Sequence, residues 1–336
     1  MAYDKDPQVR RIRLEGFGGP EVLQLETATI GQPGVGEVLI RVRAAGVNRP
    51  DLIQRTGRYP APADASPIPG LEISGIVHAV GEEVVNFQVG DEVCALTNGG
   101  GYADRCLVPA GQVLPLPRSC SFVEGAAIPE TFFTVWANLF GNGASIPRGP
   151  VLIHGGTSGI GYTALMLCRE FGIAAFATVG SEEKARAVKS LGATPIQYQH
   201  EVFADVVLQA TSGRGVEVVL DIMGASYFHE NLRALAKDGR LQLIGTLGGA
   251  VVESVNLMAI SSRRIVVTGS SMRPRTQEEK AAIARSLYEH VWPLFNEGRC
   301  VPRVDRVFPL EEVGDAHRLM EASTHIGKIV LSMDPH

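Results

Sequence analysis

The segment best suited to chemistry is His154-Gly155-Gly156-Thr157-Ser158-Gly159-Ile160-Gly161. It follows a short apolar stretch with strand character, Val151 to His154. It precedes a predicted helix, Tyr162 to Phe171, with Leu165, Cys168 and Phe171 at helical spacing and Gly172 as its stop. Glycines there let the chain turn tightly and let its backbone approach a pyrophosphate. Free N–H groups at the start of the helix then point at the anion. The spacing, set by Gly155, Gly159 and Gly161, is GxxxGxG rather than GxGxxG. The segment reads as a dinucleotide cradle made by Gly156, Thr157, Ser158, Gly159, Ile160 and Gly161. The competing reading is a glycine-rich turn with no ligand.

The next strand, Ala174 to Val179, ends in Gly180-Ser181. An acidic residue at that point would hold a ribose 2′-hydroxyl and repel a 2′-phosphate. Glycine and serine leave room for the phosphate, and Lys184, one turn into the following helix, supplies positive charge. The expected cofactor is therefore NADPH. Glu182 and Glu183 read as first-turn acids that favour the helix dipole, with Ser181 as the N-cap.

These groups need a frame. From about residue 125, strands and helices alternate. Strands are predicted at Pro195 to Tyr198, Val216 to Ile222, Arg240 to Gly245 and Arg264 to Ser270, with helices over Val202 to Ala210 and Tyr227 to Ala236. Such alternation implies parallel βαβ units and a doubly wound sheet of two mononucleotide-binding halves. The first third is rich in strands and loops, with strand patterns at Glu37 to Ala44 and Ile76 to Val80. After Met272 one long helix, Gln277 to Asn296, is expected. A second follows at Glu311 to Ser323, then a strand, Lys328 to Ser332. This tail is too short to fold alone and is expected to complete the first domain.

Composition narrows the function classes. With 336 residues, two domains are the natural expectation. A net charge of −5 speaks against a general nucleic-acid binder. The five cysteines are scattered and form no CxxC pair, so neither a disulfide framework nor a structural zinc site is expected. The charged N-terminus carries no apolar signal-like core, and no stretch reads as a transmembrane helix. A cytoplasmic protein is the resulting expectation.

Six stretches together resemble the medium-chain dehydrogenase/reductase superfamily. They are Ala45-Gly46-Val47-Asn48-Arg49-Pro50-Asp51, Gly57-Arg58-Tyr59-Pro60, Pro69-Gly70-Leu71-Glu72, Ala126-Ala127-Ile128-Pro129-Glu130, the glycine loop, and Ile326-Gly327-Lys328-Ile329-Val330. The likeness is closest to its quinone oxidoreductases, in particular the p53-inducible quinone oxidoreductase-like group. It implies a Rossmann doubly wound parallel sheet, residues 126–271, inserted in a GroES-like β-barrel domain, residues 1–125, which residues 272–336 complete. The substrate would lie in the cleft.

The resemblance also implies roles. Asn48 would contact the nicotinamide or a substrate carbonyl, and Tyr59 would bond the acceptor oxygen or donate a proton. Thr134 would touch the nicotinamide ribose and Tyr198 the adenosine phosphate side. Gly245 and Leu247 would border the nicotinamide, and Lys328 would reach the cofactor from the tail. Zinc alcohol dehydrogenases of the superfamily carry Cys where this chain has Asn48 and His where it has Leu71. No metal site is therefore expected, and Asp51 and Glu72 read as structural anchors at the former metal position. His154, His317, Trp136 and Trp292 read as packed residues, and Arg273 and Arg275 as a solvated loop.

The implied activity is hydride transfer from NADPH to a quinone or other electron-poor acceptor. The alternatives are an alkenal or enoyl double-bond reductase and a non-catalytic NADPH-binding module. A short-chain dehydrogenase is disfavoured, because the glycine loop begins after residue 150 and no YxxxK pair follows. Pairing of the outermost strand, Arg264 to Ser270, with a second copy would give a homodimer.

Overall fold

A computed structural model describes residues 8–62 and 65–334. The chain opens with β1 (Gln8–Leu14), β2 (Leu23–Thr29), β3 (Glu37–Val47), α1 (Arg49–Arg55), β4 (Glu72–Val80), β5 (Glu92–Leu96), β6 (Arg105–Pro109) and β7 (Val113–Pro115). Two helices follow, α2 (Phe122–Gly125) and α3 (Pro129–Leu139). The alternating segment runs β8 (Val151–Ile153), α4 (Gly159–Glu170), β9 (Ala175–Val179), α5 (Glu182–Ser190), β10 (Thr194–Gln197) and α6 (Phe203–Ala210). It continues with β11 (Val216–Asp221), α7 (Phe228–Ala234), β12 (Leu235–Leu243), α8 (Leu257–Ser261) and β13 (Val266–Gly269). The tail is α9 (Gln277–His290), α10 (Trp292–Asn296), β14 (Val304–Pro309), α11 (Val313–Ala322) and β15 (Lys328–Ser332).

The chain forms two compact units. One takes the chain up to Phe133 and again from Arg273, and the other is Thr134–Met272. In the first, β14-β15-β3-β4-β5-β7 form one sheet in that order, and β6 also pairs with β3. Val38, Leu39 and Ile40 of β3 are fully buried, and Val38 and Ile40 share a core with Ile73, Val93 and Leu331. The tail is woven into this unit, because β15 lies antiparallel on β3 with Ile329 opposite Val47.

In the second unit the strand order is β10-β9-β8-β11-β12-β13, all parallel. Numbered from β8, this is the order 3-2-1-4-5-6 of a doubly wound nucleotide-binding sheet. Of its four inner strands, β8, β9 and β11 are almost wholly buried, as strands covered on both faces should be.

Three expectations need correction. The predicted helix over Gln277 to Asn296 is two helices, broken at Val291. Pro293 has no N–H to continue the ladder, and its ring collides with the carbonyl four residues back. The strand expected over Arg264 to Ser270 is only Val266–Gly269, because Arg264 has φ +53° and closes a turn through a paired contact with Asp238. Arg273 is not on a solvated loop. It is buried, and its guanidinium bonds the Asn98 carbonyl at 2.7 Å and Gln54 at 2.9 Å. Among the described residues no helix is long and apolar enough to cross a membrane. All five cysteines are buried, and none forms a disulfide.

Candidate active site

In the first unit, strand register brings three chemically distinct side chains together. β3 ends at Val47, β4 starts at Glu72 and β15 starts at Lys328. Pairing of Ala45 with Ile73 and of Val47 with Ile329 therefore sets Glu72 and Lys328 beside Asn48, the residue that follows β3. Lys328 Nζ lies 2.6 Å from Glu72 Oε1, 2.5 Å from Asn48 Oδ1 and 3.3 Å from the Val47 carbonyl. Asn48 Nδ2 donates to the same Glu72 oxygen at 2.8 Å, and the other oxygen accepts the Glu130 N–H at 2.9 Å. Glu72 is fully buried, and only glycine at position 46 makes room for it: a Cβ there would sit 2.1 Å from Glu72 Oε1.

A second layer fixes the backbone of Asn48. Asp51, three residues on, accepts the Asn48 N–H at 2.8 Å, the Tyr102 hydroxyl at 2.9 Å and the Gly70 N–H at 3.3 Å. Tyr102 meets His317 Nε2 at 3.1 Å, and Arg55 meets His317 Nδ1 at 3.3 Å. A guanidinium only donates, so Nδ1 accepts and Nε2 carries the hydrogen. The hydrogens thus run from Arg55 to His317, from His317 to Tyr102 and from Tyr102 to Asp51, while Arg55 also pairs with Glu321. Burial, then the nearby Arg55, hold His317 down to about 3, so the ring is neutral at pH 7. Burial raises Asp51 to about 6 against the pull of its hydrogen bonds. Tyr59 is partly buried, with the Arg273 guanidinium 5.3 Å from its ring centre.

In the second unit, β8 runs into the glycine loop and α4 starts at Gly159. Ser158 caps the helix, accepting from Gly161 N at 3.0 Å and donating to the Gly155 carbonyl at 2.8 Å. The first N–H groups of such a helix, those of Gly159 and Ile160, have no acceptor within it. The loop is packed against its own sheet, since a Cβ at Gly156 would lie 2.6 Å from Ala177 Cβ. Below it, Thr178 Oγ1 accepts the Gly155 N–H at 3.1 Å and lies 3.2 Å from His154 Nδ1. His154 Nε2 lies 2.6 Å from Asn231 Oδ1, and Asn231 Nδ2 donates to Asp221 at 2.9 Å. Burial holds His154 down to about 4, so it too is a neutral relay.

Ser181 caps α5, accepting from Lys184 N at 3.3 Å, and Glu182 and Glu183 are exposed in its first turn. Tyr198 crosses beside Gly180, where a Cβ would lie 2.8 Å from the Tyr198 hydroxyl. Leu247 is exposed, and its N–H bonds the Ile222 carbonyl at 3.0 Å. Gly245 also borders Ile222, whose side chain lies under Gly155, so this segment neighbours the glycine loop. Thr134 is buried on α3, and its carbonyl accepts from Asn138.

The sequence-predicted residues thus fall into separate sets. Asn48 and Lys328 meet directly in the first unit. The glycine loop, Gly180, Ser181, Lys184, Tyr198, Gly245 and Leu247 belong to the second. Sequence reasoning missed Glu130, Tyr102, Thr178 and Asn231. The first lay inside a recognised stretch, whereas the other three carry no motif.

Comparison with known proteins agrees with this fold. Residues 34–118 match the alcohol dehydrogenase GroES-like domain family, and residues 191–331 match the zinc-binding dehydrogenase family. The chain is 32% identical to the synaptic vesicle membrane protein VAT-1 homolog of Rattus norvegicus, covering 98% of this chain and 85% of that protein. It is 32% identical to the quinone oxidoreductase of Sus scrofa, covering 95% of this chain and 96% of that one. A solved structure of the Escherichia coli quinone oxidoreductase complexed with NADPH superposes with a TM-score of 0.84 at 28% identity, over 96% of this chain and 99% of that one.

The name of the second family raises the question of zinc, and the donor set does not suit one. The position of a thiolate ligand is held by an amide, Asn48, and that of an imidazole by Leu71. The ammonium of Lys328 already occupies the oxygens of Asn48 and Glu72. Among the described residues no group of three or more His, Cys, Asp and Glu side chains is arranged to hold a metal ion. The donors of the glycine loop and α4, by contrast, suit a dinucleotide.

Proposed function

Because the chain belongs to the medium-chain dehydrogenase/reductase superfamily, beside its quinone oxidoreductases and VAT-1 homologues, we propose that it is an NADPH-dependent oxidoreductase that reduces quinones or related conjugated carbonyls without zinc. The observation that carries this reading is the glycine loop at the start of α4, on the first strand of a sheet ordered 3-2-1-4-5-6. A bound nicotinamide supplies a hydride from its C4. The protein's part is to bind, orient and exclude water. Gly156 to Gly161 cradle the pyrophosphate, which the backbone N–H groups of Gly159 and Ile160 receive. Ser181 and Lys184 receive the 2′-phosphate, and Tyr198 flanks the adenosine side. Thr134, Gly245 and Leu247 border the nicotinamide end. Asn48 orients the nicotinamide amide or the acceptor carbonyl, and Tyr59 hydrogen-bonds the acceptor oxygen. Lys328 acts through Asn48, since its contacts lie on Val47, Asn48 and Glu72.

Turnover of NADPH with a benzoquinone, a naphthoquinone and a conjugated enone, each with and without a chelator, tests this directly. Activity that survives chelation is expected. Lys184→Ala should weaken NADPH binding by about 1–3 kcal/mol, through loss of a charge-assisted hydrogen bond, and leave NADH binding unchanged. Equal affinity of the unmodified protein for the two cofactors would exclude the assignment to Ser181 and Lys184.

The assembly proposed is a homodimer through β13. This strand ends the sheet, and Val266 and Val267 are exposed on it, as are Leu257 and Met258 in the helix before it. An unpaired edge of that kind is a template for a second copy. Light scattering at micromolar concentration should report twice the monomer mass. Val267→Pro, which removes a donor from the ladder, should lower it. A monomeric unmodified protein would rule the dimer out.

A further inference from the structure

Glu130 is the carboxyl that the preceding mechanism leaves unused. It sits in the first turn of α3, partly buried, and its own N–H donates to Glu72 Oε2 at 2.9 Å. Through that contact it is joined to the Lys328–Glu72–Asn48 cluster, which holds the amide of Asn48 in place. Every other acid of the cluster is committed: Glu72 to Lys328 and Asn48, and Asp51 to Tyr102 and two backbone N–H groups. Among the described residues the carboxyl of Glu130 has no hydrogen-bond or ion-pair partner.

We propose that Glu130 is the proton donor of the reduction, protonating the acceptor oxygen that becomes negative when hydride arrives. This rests on the reading of the chain as an NAD(P)H-dependent reductase. The atoms balance. The acceptor gains two electrons and one hydrogen as hydride from the reduced nicotinamide, which is oxidised. Its oxygen then forms an O–H bond as the Glu130 O–H breaks. The resulting Glu130 carboxylate recovers a proton from water.

The surroundings keep this acid loaded near neutrality. Burial, Glu72 on β4 and Asp51 on α1 raise its pKa, and Lys328 on β15 and Lys280 on α9 oppose them, leaving it at about 8. Arg273 is the other cation that senses its charge. A donor must be protonated before each turnover, so the rate should be full well below pH 8, fall to half near pH 8 and continue to fall above it.

The test uses the full-length protein, saturating NADPH and a benzoquinone. Wild type should show a kcat that declines above about pH 8. Glu130→Gln should lose that decline and lower kcat at pH 7 at least tenfold, with NADPH affinity by fluorescence titration within twofold of wild type. Glu130→Asp should restore part of the rate and the alkaline decline. Wild type itself gives a reading independent of any variant, because a proton transfer in the slow step predicts a solvent deuterium isotope effect on kcat. A wild type that neither binds nor oxidises NADPH defeats both this role and the reductase reading. A wild type that turns over, with Glu130→Gln retaining its rate and the alkaline decline, defeats the role of Glu130 alone.

Discussion

Replacing Lys328 with Met should destabilise the protein by about 3–5 kcal/mol, because it strands a fully buried carboxylate. Glu72 Oε1 accepts from Lys328 at 2.6 Å and from Asn48 at 2.8 Å, and only the first of these donors carries charge. Removing it leaves a desolvated anion held by an amide and a backbone N–H. The loss is a large part of a total stability that is typically about 5–15 kcal/mol. Urea denaturation followed by circular dichroism would measure it. Pairing the change with Glu72→Gln should recover more than half of the loss, since the glutamine leaves no charge stranded, its oxygen accepts from Glu130 N, and its NH2 donates to Asn48 Oδ1 once Lys328 no longer occupies that oxygen. A single Lys328→Met variant within about 1 kcal/mol of wild type, typical of an exposed ion pair, would show that the pair is solvated. A lysine whose role was only to touch a cofactor would predict normal stability with weaker binding, so the two roles separate in one pair of measurements.

The elements that position these groups were legible in the sequence to differing degrees. The doubly wound sheet was readable because its inner strands are short apolar runs between capped helices. Ser181 with Glu182 and Glu183 marked the start of α5 to the residue. The break at Val291 was readable in principle, since Pro293 stands in the sequence, but the apolar spacing carried past it. The site itself was only half legible. A glycine loop is a local pattern, so sequence order suffices to find it. The meeting of Lys328 with Glu72 depends on β15 pairing with β3 across some 280 residues, and no local pattern encodes a register of that kind. The same holds for the hydrogen-bond chains under the two backbones. His317 was expected to be packed, and it is, but its task of ordering Tyr102 and Asp51 emerges only when α11 is laid against α1. Arg273 was misjudged for a related reason: a charged residue beside a glycine- and serine-rich turn looks solvated until Asn98 and Gln54 are brought to it.

Gly161→Ala should cost at least a hundredfold in NADPH affinity, about 2.7 kcal/mol, while the sheet remains folded. The added Cβ would lie 2.2 Å from the Gly155 carbonyl oxygen and 2.8 Å from Gly156 Cα. Both obstacles are backbone, so no side-chain rotation relieves them, and either the loop or the start of α4 must shift. The loop is pinned from below, where Thr178 holds the Gly155 N–H and a Cβ-width gap is missing between Gly156 and Ala177. The shift therefore falls on the backbone N–H groups proposed to meet the pyrophosphate, and the same overpacking should take about 1–3 kcal/mol from stability. Gly172→Ala, just beyond the other end of the helix, is the matching control. Its Cβ would meet nothing within 4 Å, and its φ of +67° costs an L-residue only about 1–2 kcal/mol of conformational strain. That variant should lose comparable stability and bind NADPH as wild type does. Isothermal titration of both variants separates the two effects, and equal weakening by the two substitutions would mean that α4 as a whole, rather than the geometry of its first turn, governs binding.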